Sequence, residues 1–426
     1  MKIAVIGAGS TYTPELVAGL SGGDYDLDID ELALHDIDTD RLAVVGGLAR
    51  RMLASQDFGG RLLLTGDLDR VLDGADFVLL QIRVGGQQAR LSDETVPLAC
   101  GCIGQETTGA GGFAKARRTV PVVLDIAERA RRRAQPDAWI IDFTNPVGIV
   151  TRALLDAGHR AIGLCNVAIN VQRKAARLLG VPHAEVTVDQ VGLNHLTWVR
   201  AVRVDGRDVL VDLLDEYGEQ LAEEVGLPAR LIAELGVLPS YYLRYFYRHD
   251  EILRAQRDGQ TPRAATVAEI ERELLEMYRD PALTKKPVEL DRRGGAYYSE
   301  AAAGLVAALA GDTGSVHVVD IHNHGTLSGL ADDDVVEVPA RLGAAGPEPL
   351  PQPPLAPELL GLVQHVAAYE RLAAEAAVSR DPVTARKALL THPLIGQDEI
   401  AAELVERLGA AAESTRRAAT TTGGML

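Results

Sequence analysis

The sequence predicts an α/β protein with two parts: a doubly wound parallel sheet in residues 1–165 and a mixed α/β domain in residues 166–426. In the first part, short apolar runs alternate with helical patterns, which is typical of a parallel sheet covered by helices on both faces. In the second part, "AEVTVDQVGLNHLTWVRAVRVDGRDV" alternates apolar and polar residues with period two. That pattern predicts antiparallel strands joined at a turn of Asp205 and Gly206, with His195 on the first strand.

The composition limits the classes of protein to consider. Of 426 residues, 47% are hydrophobic and 24% are charged, so we expect a soluble protein of about two to three domains. The formal net charge of -17 disfavours binding to nucleic acid or to an anionic membrane. The sequence has neither a run of about eighteen apolar residues nor a signal peptide, and its three cysteines are too few for a disulfide framework. A cytoplasmic protein is therefore expected.

The first strand leads into a glycine-containing turn. "KIAVIGAGS" places Gly7, Gly9 and Ser10 between the strand and a helix, so backbone amides and a helix N-terminus would face a pyrophosphate. The third glycine of the usual fingerprint is replaced by Tyr12. The second strand, in "ELALHDID", ends in Asp36, whose carboxylate would accept from a ribose hydroxyl and repel a 2′-phosphate. These features predict a Rossmann-type sheet that binds NAD, with an ordinary tight turn as the alternative.

A long polar segment follows a later strand of the sheet. "QIRVGGQQARLSDETVPLACGCIGQETTGAGGFAKARRTVP" is rich in glycine and contains Arg83 and Arg90 just beyond the strand end. Open α/β sheets bind ligands at this end of their strands. We therefore expect a long loop here, either functional or simply solvated.

One cysteine and one histidine could form a metal site. Cys165 follows the strand in "IGLCNVAIN", and His195 lies thirty residues later in "GLNHLTW". A single buried cysteine or strand histidine more often packs in the core than binds a ligand. Two ligands at this spacing also do not match a zinc finger. The spacing alone leaves both interpretations open.

Nine motifs follow one another along the chain: "GAGS" with the Asp36 strand end, "QIRVGG…ARLSDETVPL", "GQETTGAGGFAKARRTVP", "DFTNPVGIV", "CNVAIN", "GLNHLTW", "YYLRYFY", "RRGGAYYS" and "HNHGTL…DDDVVEVPA". In this order they resemble the motifs of glycoside hydrolase family 4, and most closely those of its 6-phospho-β-glucosidases. The resemblance extends to about Pro339.

The resemblance implies an NAD-dependent glycosidase whose overall fold is like that of lactate and malate dehydrogenases. In that family NAD takes a hydride from carbon 3 of the sugar, which acidifies the hydrogen on carbon 2. A base removes this proton, the glycosidic oxygen leaves, water adds to the double bond, and the hydride returns. A 6-phospho-β-glucoside would give glucose 6-phosphate and the free aglycone.

The resemblance also assigns roles to individual residues. Cys165 and His195 match the positions that hold a divalent metal, usually Mn²⁺, which stabilises the charge that develops beside the oxidised carbon. Tyr245, the last residue of the Y-L-[QR]-Y motif, matches the base; a phenol titrates near pH 10, so the metal or Arg244 must lower its pKa. Asn166 stands where α-specific relatives have an acidic aspartate, which favours the β-type reaction.

The phosphate of the substrate needs local cations because the chain is acidic. Arg90 and Arg293 are the predicted phosphate ligands, with Arg83 as a third; ordinary surface arginines are the alternative. Asn145 in "TNP" and Asn323 in "HNHG" are expected to orient sugar hydroxyls or to lie near the metal. The implied partner is a small phosphorylated glycoside, and a homo-oligomer, either a dimer or a tetramer, is expected.

Two other classes of protein share part of this pattern. An NAD-dependent hydroxyacid dehydrogenase has the same first domain, but it needs a catalytic histidine paired with an aspartate and has no use for Cys165. A non-catalytic NAD-sensing module needs Gly7, Gly9 and Asp36 but has no reason to combine Cys165 with His195 and Tyr245.

Overall fold

The computed structural model describes residues 1–421 except Gly23, Asp24, Asp26 and Ala296, and describes residues 412–421 only as part of a helix. The last five residues of the predicted second domain, 422–426, therefore lie outside the described part of the chain.

Within the described residues, thirteen strands form one continuous sheet. The strands are β1 (Lys2–Ile6), β2 (Glu31–His35), β3 (Arg61–Thr65), β4 (Phe77–Leu80), β5 (Trp139–Asp142), β6 (Ala161–Gly163), β7 (Val186–Leu193), β8 (Leu196–Val204), β9 (Arg207–Asp208), β10 (Leu238–Pro239), β11 (Val316–His322), β12 (Val335–Gly343) and β13 (Gly346–Pro349).

Sixteen helices surround the sheet in the same described ranges. They are α1 (Thr13–Ser21), α2 (Thr39–Ser55), α3 (Leu68–Leu72), α4 (Gly86–Ala99), α5 (Gly109–Arg133), α6 (Val147–Asp156), α7 (Val167–Leu179), α8 (Leu210–Val225), α9 (Ala229–Leu235), α10 (Arg244–Tyr247), α11 (His249–Arg257), α12 (Arg263–Tyr278), α13 (Tyr298–Gly311), α14 (Pro357–Ser379), α15 (Pro382–Thr391) and α16 (Asp398–Thr421). Short 3₁₀ turns occur at Tyr241–Leu243 and Val288–Arg293. None of the described helices combines the length and apolarity needed to cross a membrane.

The predicted fold class is confirmed. Strands β1 to β6 are parallel and lie in the order β3-β2-β1-β4-β5-β6, which is the order of doubly wound dinucleotide-binding sheets. At β6 the pairing becomes antiparallel, and β11, β12, β7, β8 and β10 continue the same sheet. The domain boundary at residue 165 stays a prediction, since the sheet runs across it.

The N-terminal elements form as their sequence suggests. Strand β1 is apolar and almost wholly buried, and Pro14 lies in the first turn of α1, where the missing amide hydrogen costs nothing. Gly7 has φ +90°, and a Cβ there would lie 2.8 Å from the carbonyl oxygen of Gln81. A side chain at this position would therefore separate the turn from β4.

The antiparallel segment contains one turn more than we predict, and His195 lies in that turn rather than on the first strand. Strands β7 and β8 pair up to Leu193 and Leu196, so the turn consists of Asn194 and His195. Asp205 and Gly206 join β8 to the short antiparallel strand β9, as predicted. His195 has φ +64°, a left-handed conformation that costs a non-glycine residue about 1 kcal/mol. The period-two pattern runs through both strands, so a turn without glycine left no signal in the sequence.

The long polar segment is mostly helical, which corrects the expectation of a loop. It forms α4 and the first part of α5. Helix α4 begins after Gly85, which has φ +81°, and buries Ala89, Asp93 and Glu94. The buried charges obscured the helical periodicity; Asp93 pairs with Arg118 of α5, and Glu94 pairs with Arg90 within the helix.

Candidate active site

A cavity of about 2500 Å³ opens at the carboxyl ends of β1, β2 and β4. It extends from the glycine turn to the tyrosines of the "YYLRYFY" segment and to Tyr298. Among the described residues that line it, thirteen are lysine or arginine and ten are aspartate or glutamate. The lining therefore has an excess of positive charge, although the whole chain has a formal net charge of -17. This contrast favours a small anionic ligand.

The nucleotide end of the cavity contains the predicted turn and carboxylate. Asp36 follows β2 and accepts hydrogen bonds from the Gly9 amide at 2.7 Å and from the Asp38 amide at 2.9 Å. Arg41 donates from Nε to the Gly9 carbonyl oxygen at 3.1 Å. The Asp36 carboxylate is thus fixed beside the turn, as a ribose-binding group should be.

Tyr12 joins this turn to a distant segment. Its hydroxyl donates to the Gly295 carbonyl oxygen, and its ring meets the ring of Tyr298 edge-on at 6.2 Å. The residue that replaces the third glycine therefore connects the start of α1 to the chain that carries Arg293.

A buried charge cluster lies under the middle of the cavity. Glu106 accepts a hydrogen bond from Lys115 Nζ at 2.7 Å, lies 3.1 Å from Arg90 Nε, and pairs with Arg83. Arg90 also donates to Glu94 at 2.8 Å. Three cations thus surround Glu106, so the cluster as a whole is positive.

The charge states in this cluster follow from burial and from its neighbours. Burial raises the pKa of Glu106, but Arg83, Lys115 and Arg90 outweigh it and hold that pKa well below the usual range. Burial, assisted by Arg83, lowers the pKa of Lys115 to about 8. Glu106 therefore stays ionised at neutral pH, while Lys115 is the cation of the cluster that releases its proton most readily.

Arg293 lies between the glycine turn and the charge cluster. It is 3.5 Å from Ser10 Oγ and 3.3 Å from Glu271 Oε1, and its Nε is buried without a protein partner. The Asn145 side-chain oxygen, in the cavity lining, is likewise buried without a partner. Such polar atoms are expected where a ligand completes the hydrogen bonding.

Cys165 and His195 lie just behind the cavity wall and are 4% and 5% exposed. His195 Nδ1 is 3.0 Å from Thr107 Oγ1, and burial lowers its pKa to about 3. Burial raises the pKa of the Cys165 thiol well above its usual range, while the nearby Tyr298 hydroxyl, donating to the sulfur, acts in the opposite direction.

These two residues fit a divalent metal that keeps positions open for ligands. The imidazole is neutral, and a thiol that loses its proton to a metal would supply one negative charge. Among the described residues, no set of three or more His, Cys, Asp and Glu converges as it would around an ion. The protein would therefore provide two ligands and leave the remaining positions to water or substrate, as in catalytic rather than structural sites.

Within the "YYLRYFY" segment, the tyrosine that contacts His195 is Tyr242, which our sequence interpretation does not select. Its ring stacks on His195 with 3.6 Å between centroids and 10° between planes. After burial, the largest influence that raises the pKa of Tyr242 is the nearby Cys165. Tyr245 also lines the cavity, but its hydroxyl accepts a hydrogen bond from Arg244 at 3.0 Å.

Sequence reasoning missed Glu106, Thr107, Lys115 and Tyr298 as parts of this site. A charge within the small and apolar run "GGFAKA" was the one local signal for Lys115. Asn166, which follows Cys165, also lines the cavity. Asn323 does not line it: the Asn323 side chain is fully buried and bonds to the backbone of Leu327, Leu330 and Ala331.

The fold and this cavity together define an enzyme class that combines a dinucleotide-binding sheet with a cationic small-molecule site. The chain belongs to glycosyl hydrolase family 4. The model of the family 4 glycosyl hydrolases matches residues 2–181, and the model of their C-terminal domain matches residues 190–395.

Similar proteins support this membership over nearly the whole chain. A probable 6-phospho-beta-glucosidase of Bacillus subtilis (strain 168) is 38% identical over 423 residues, which cover 96% of this chain and 95% of the relative. The 6-phospho-beta glucosidase of Thermotoga maritima, solved with manganese, NAD+ and glucose-6-phosphate, is 35% identical, with a TM-score of 0.91 over 97% of this chain and 99% of that one. Malate dehydrogenase of Cryptosporidium parvum shares the fold, with a TM-score of 0.55 at 17% identity.

Proposed function

We propose that this enzyme hydrolyses 6-phospho-β-glucosides to glucose 6-phosphate and the free aglycone, with NAD and a divalent metal such as Mn²⁺ as cofactors. The observation that carries the proposal is the single cavity that links the glycine turn, the cationic cluster and the tyrosines that flank Cys165 and His195. The named activities of the similar proteins support the same substrate class.

The reaction requires three tasks, which the cofactors and different residues of the chain would carry out. Bound NAD and metal would supply reversible oxidation of carbon 3 and stabilisation of the negative charge that develops beside it. Gly7, Gly9, Ser10 and Asp36 would hold the dinucleotide. Tyr242, or Tyr245 as the sequence motif predicts, would take the proton from carbon 2.

The sugar would be oriented by amides and held by cations. Arg83, Arg90 and Arg293 would bind the 6-phosphate, since guanidinium groups match phosphate geometry. Asn145 and Asn166 would bind sugar hydroxyls. Asn166 cannot protonate a leaving group as a carboxylic acid would, which supports the β rather than the α configuration.

The proposal is tested with four nitrophenyl glucosides, α and β, each with and without a 6-phosphate, in the presence of NAD and Mn²⁺. We expect the enzyme to hydrolyse the phosphorylated β-glucoside. Catalytic amounts of NAD should suffice. Absorbance of NADH should not accumulate, because the hydride returns in every cycle. Stoichiometric NADH formation would instead support a hydroxyacid dehydrogenase, and NAD binding without turnover would support a sensing module.

Replacing Arg293 with alanine should weaken binding of the phosphorylated substrate. A charge-assisted hydrogen bond contributes about 1.5–3 kcal/mol, so we expect KM to rise roughly 10- to 150-fold with a smaller change in kcat. The matched control is Arg292→Ala, since Arg292 is exposed and pairs with Glu273. Equal KM values for the Arg293→Ala and Arg292→Ala variants would exclude Arg293 from the phosphate site.

Replacing Asp36 with alanine should weaken NAD binding and reduce the preference for NAD over NADP. The change removes the ribose acceptor and leaves Arg41 beside the turn, where a 2′-phosphate would lie. Dissociation constants for both nucleotides can be measured by fluorescence titration. Asp38→Ala is the control, because Asp38 caps α2 through the Arg41 amide and its loss should lower stability without changing the nucleotide preference.

The remaining expectations concern the setting of the enzyme. We propose a cytoplasmic homo-oligomer, a dimer or tetramer, that binds neither nucleic acid nor membrane. The three free cysteines suit a reducing compartment, and light scattering of the purified protein gives the oligomer number.

A further inference from the structure

The turn that carries His195 adopts a conformation that its own sequence does not favour. His195 has φ +64° and is 5% exposed. Left-handed backbone at a residue other than glycine persists only where surrounding contacts fix it, and it is often found at functional sites. The contacts that fix this turn should therefore control the position of the imidazole.

One such contact joins the turn to strand β12. Asn194, the other residue of the turn, donates from Nδ2 to Glu337 Oε2 at 3.0 Å, and Gln190 donates to the other oxygen of the same carboxylate. Glu337 lies opposite Gly192 in the β7–β12 pairing. Because Gly192 has no side chain, the Glu337 carboxylate can reach the residues two positions away on either side.

The same carboxylate lies in a row that also reaches the Cys165 segment. Glu337 pairs with Asp320 across β12 and β11, and Asp320 pairs with Gly163 across β11 and β6. Residues directly opposite each other on neighbouring strands share a face of the sheet. Glu337 is thus placed between Gly163, two residues before Cys165, and Gly192, three residues before His195.

We propose that Glu337 is a positioning residue for the metal pair: through Asn194 it fixes the turn that presents His195 and so determines the affinity for a divalent cation. This inference rests on the proposed metal site. Glu337 is 1% exposed and is not among the cavity-lining residues, so it acts through Asn194 rather than on the substrate.

The test is a double-mutant cycle that measures Mn²⁺ affinity directly. The NAD-saturated full-length protein is titrated with Mn²⁺, and free Mn²⁺ is followed by its electron paramagnetic resonance signal. Glu337→Ala and Asn194→Ala should each raise the Kd about 10- to 100-fold, as loss of an outer contact to a metal ligand commonly does. The double variant should bind Mn²⁺ no more weakly than Glu337→Ala, because Asn194 has already lost its acceptor in that variant.

The controls separate this inference from the proposed function. Glu31→Gln removes another buried carboxylate, 7% exposed, at the start of β2 where it pairs with Arg61, and should bind Mn²⁺ like the unmodified protein. A normal Kd in Cys165→Ser would reject the metal site itself. If Cys165→Ser loses Mn²⁺ binding but folded Asn194→Ala has a normal Kd, the metal site stands and the positioning role of Glu337 is rejected. Additive effects in the double variant would reject that role in the same way. If Glu337→Ala fails to fold by circular dichroism, Asn194→Ala at the hairpin tip decides the question.

Discussion

Tyr242→Phe should lower kcat by about a hundredfold or more, the loss expected when a general base is removed. Only one hydroxyl is lost, so the fold and NAD affinity should persist. We favour Tyr242 over Tyr245 because its ring stacks on His195, which places it beside the proposed metal pair. Burial raises the pKa of both phenols. Arg244 beside Tyr245 acts in the opposite direction, as a metal beside Tyr242 would.

Tyr245→Phe is the matched comparison, since it removes the same group from the same motif. The Tyr245 hydroxyl bonds to Arg244. We therefore expect a smaller loss of kcat, caused by changes in the shape and charge of the cavity. In heavy water, product made by the unmodified enzyme should carry deuterium at carbon 2. If kcat falls a hundredfold in Tyr245→Phe and not in Tyr242→Phe, the base is Tyr245, as the motif suggests. Product without deuterium at carbon 2 would reject removal of that proton by either residue.

Cys165→Ser should lower the activity by at least about a hundredfold. A serine hydroxyl remains protonated and is a poor ligand for a soft or borderline metal. Treatment of the unmodified enzyme with EDTA should have the same effect, and added Mn²⁺ should reverse it. The control is Cys102→Ser, since Cys102 is buried but is not among the residues that line the cavity. Full activity of metal-free Cys165→Ser would remove the basis for the metal site.

The parallel half of the fold could be predicted because the sequence signals for each strand, turn and helix lie next to one another along the chain. Each strand is followed within a few residues by its own turn and helix, so "KIAVIGAGS" and "ELALHDID" indicate both the elements and their ligand. The junction with the second half could not be predicted in this way. Within the sheet it consists of the pairing between Gly163 and Asp320, which lie far apart in the sequence and carry no matching pattern.

The residues of the site also differ in whether local sequence reveals their position. Gly7, Asp36 and Cys165 follow strands, and their position at the ligand-binding end of the sheet can be inferred from that alone. The partners of Glu106 come from three separate positions, Arg83, Arg90 and Lys115, which helical packing brings together. Likewise the stacking of Tyr242 on His195 arises from tertiary structure, and a four-residue motif does not reveal which of its tyrosines makes the contact.

The unbroken sheet has a consequence for how the molecule melts. Strand β6 has β5 on one side and β11 on the other, and α14 from the second half packs on α5 and α6 from the first. Removal of the second half would leave β6 as a bare sheet edge and uncover the apolar faces of two helices, a state prone to aggregation. The nucleotide half is therefore not an autonomous folding unit, and heat should disrupt both halves in one cooperative transition.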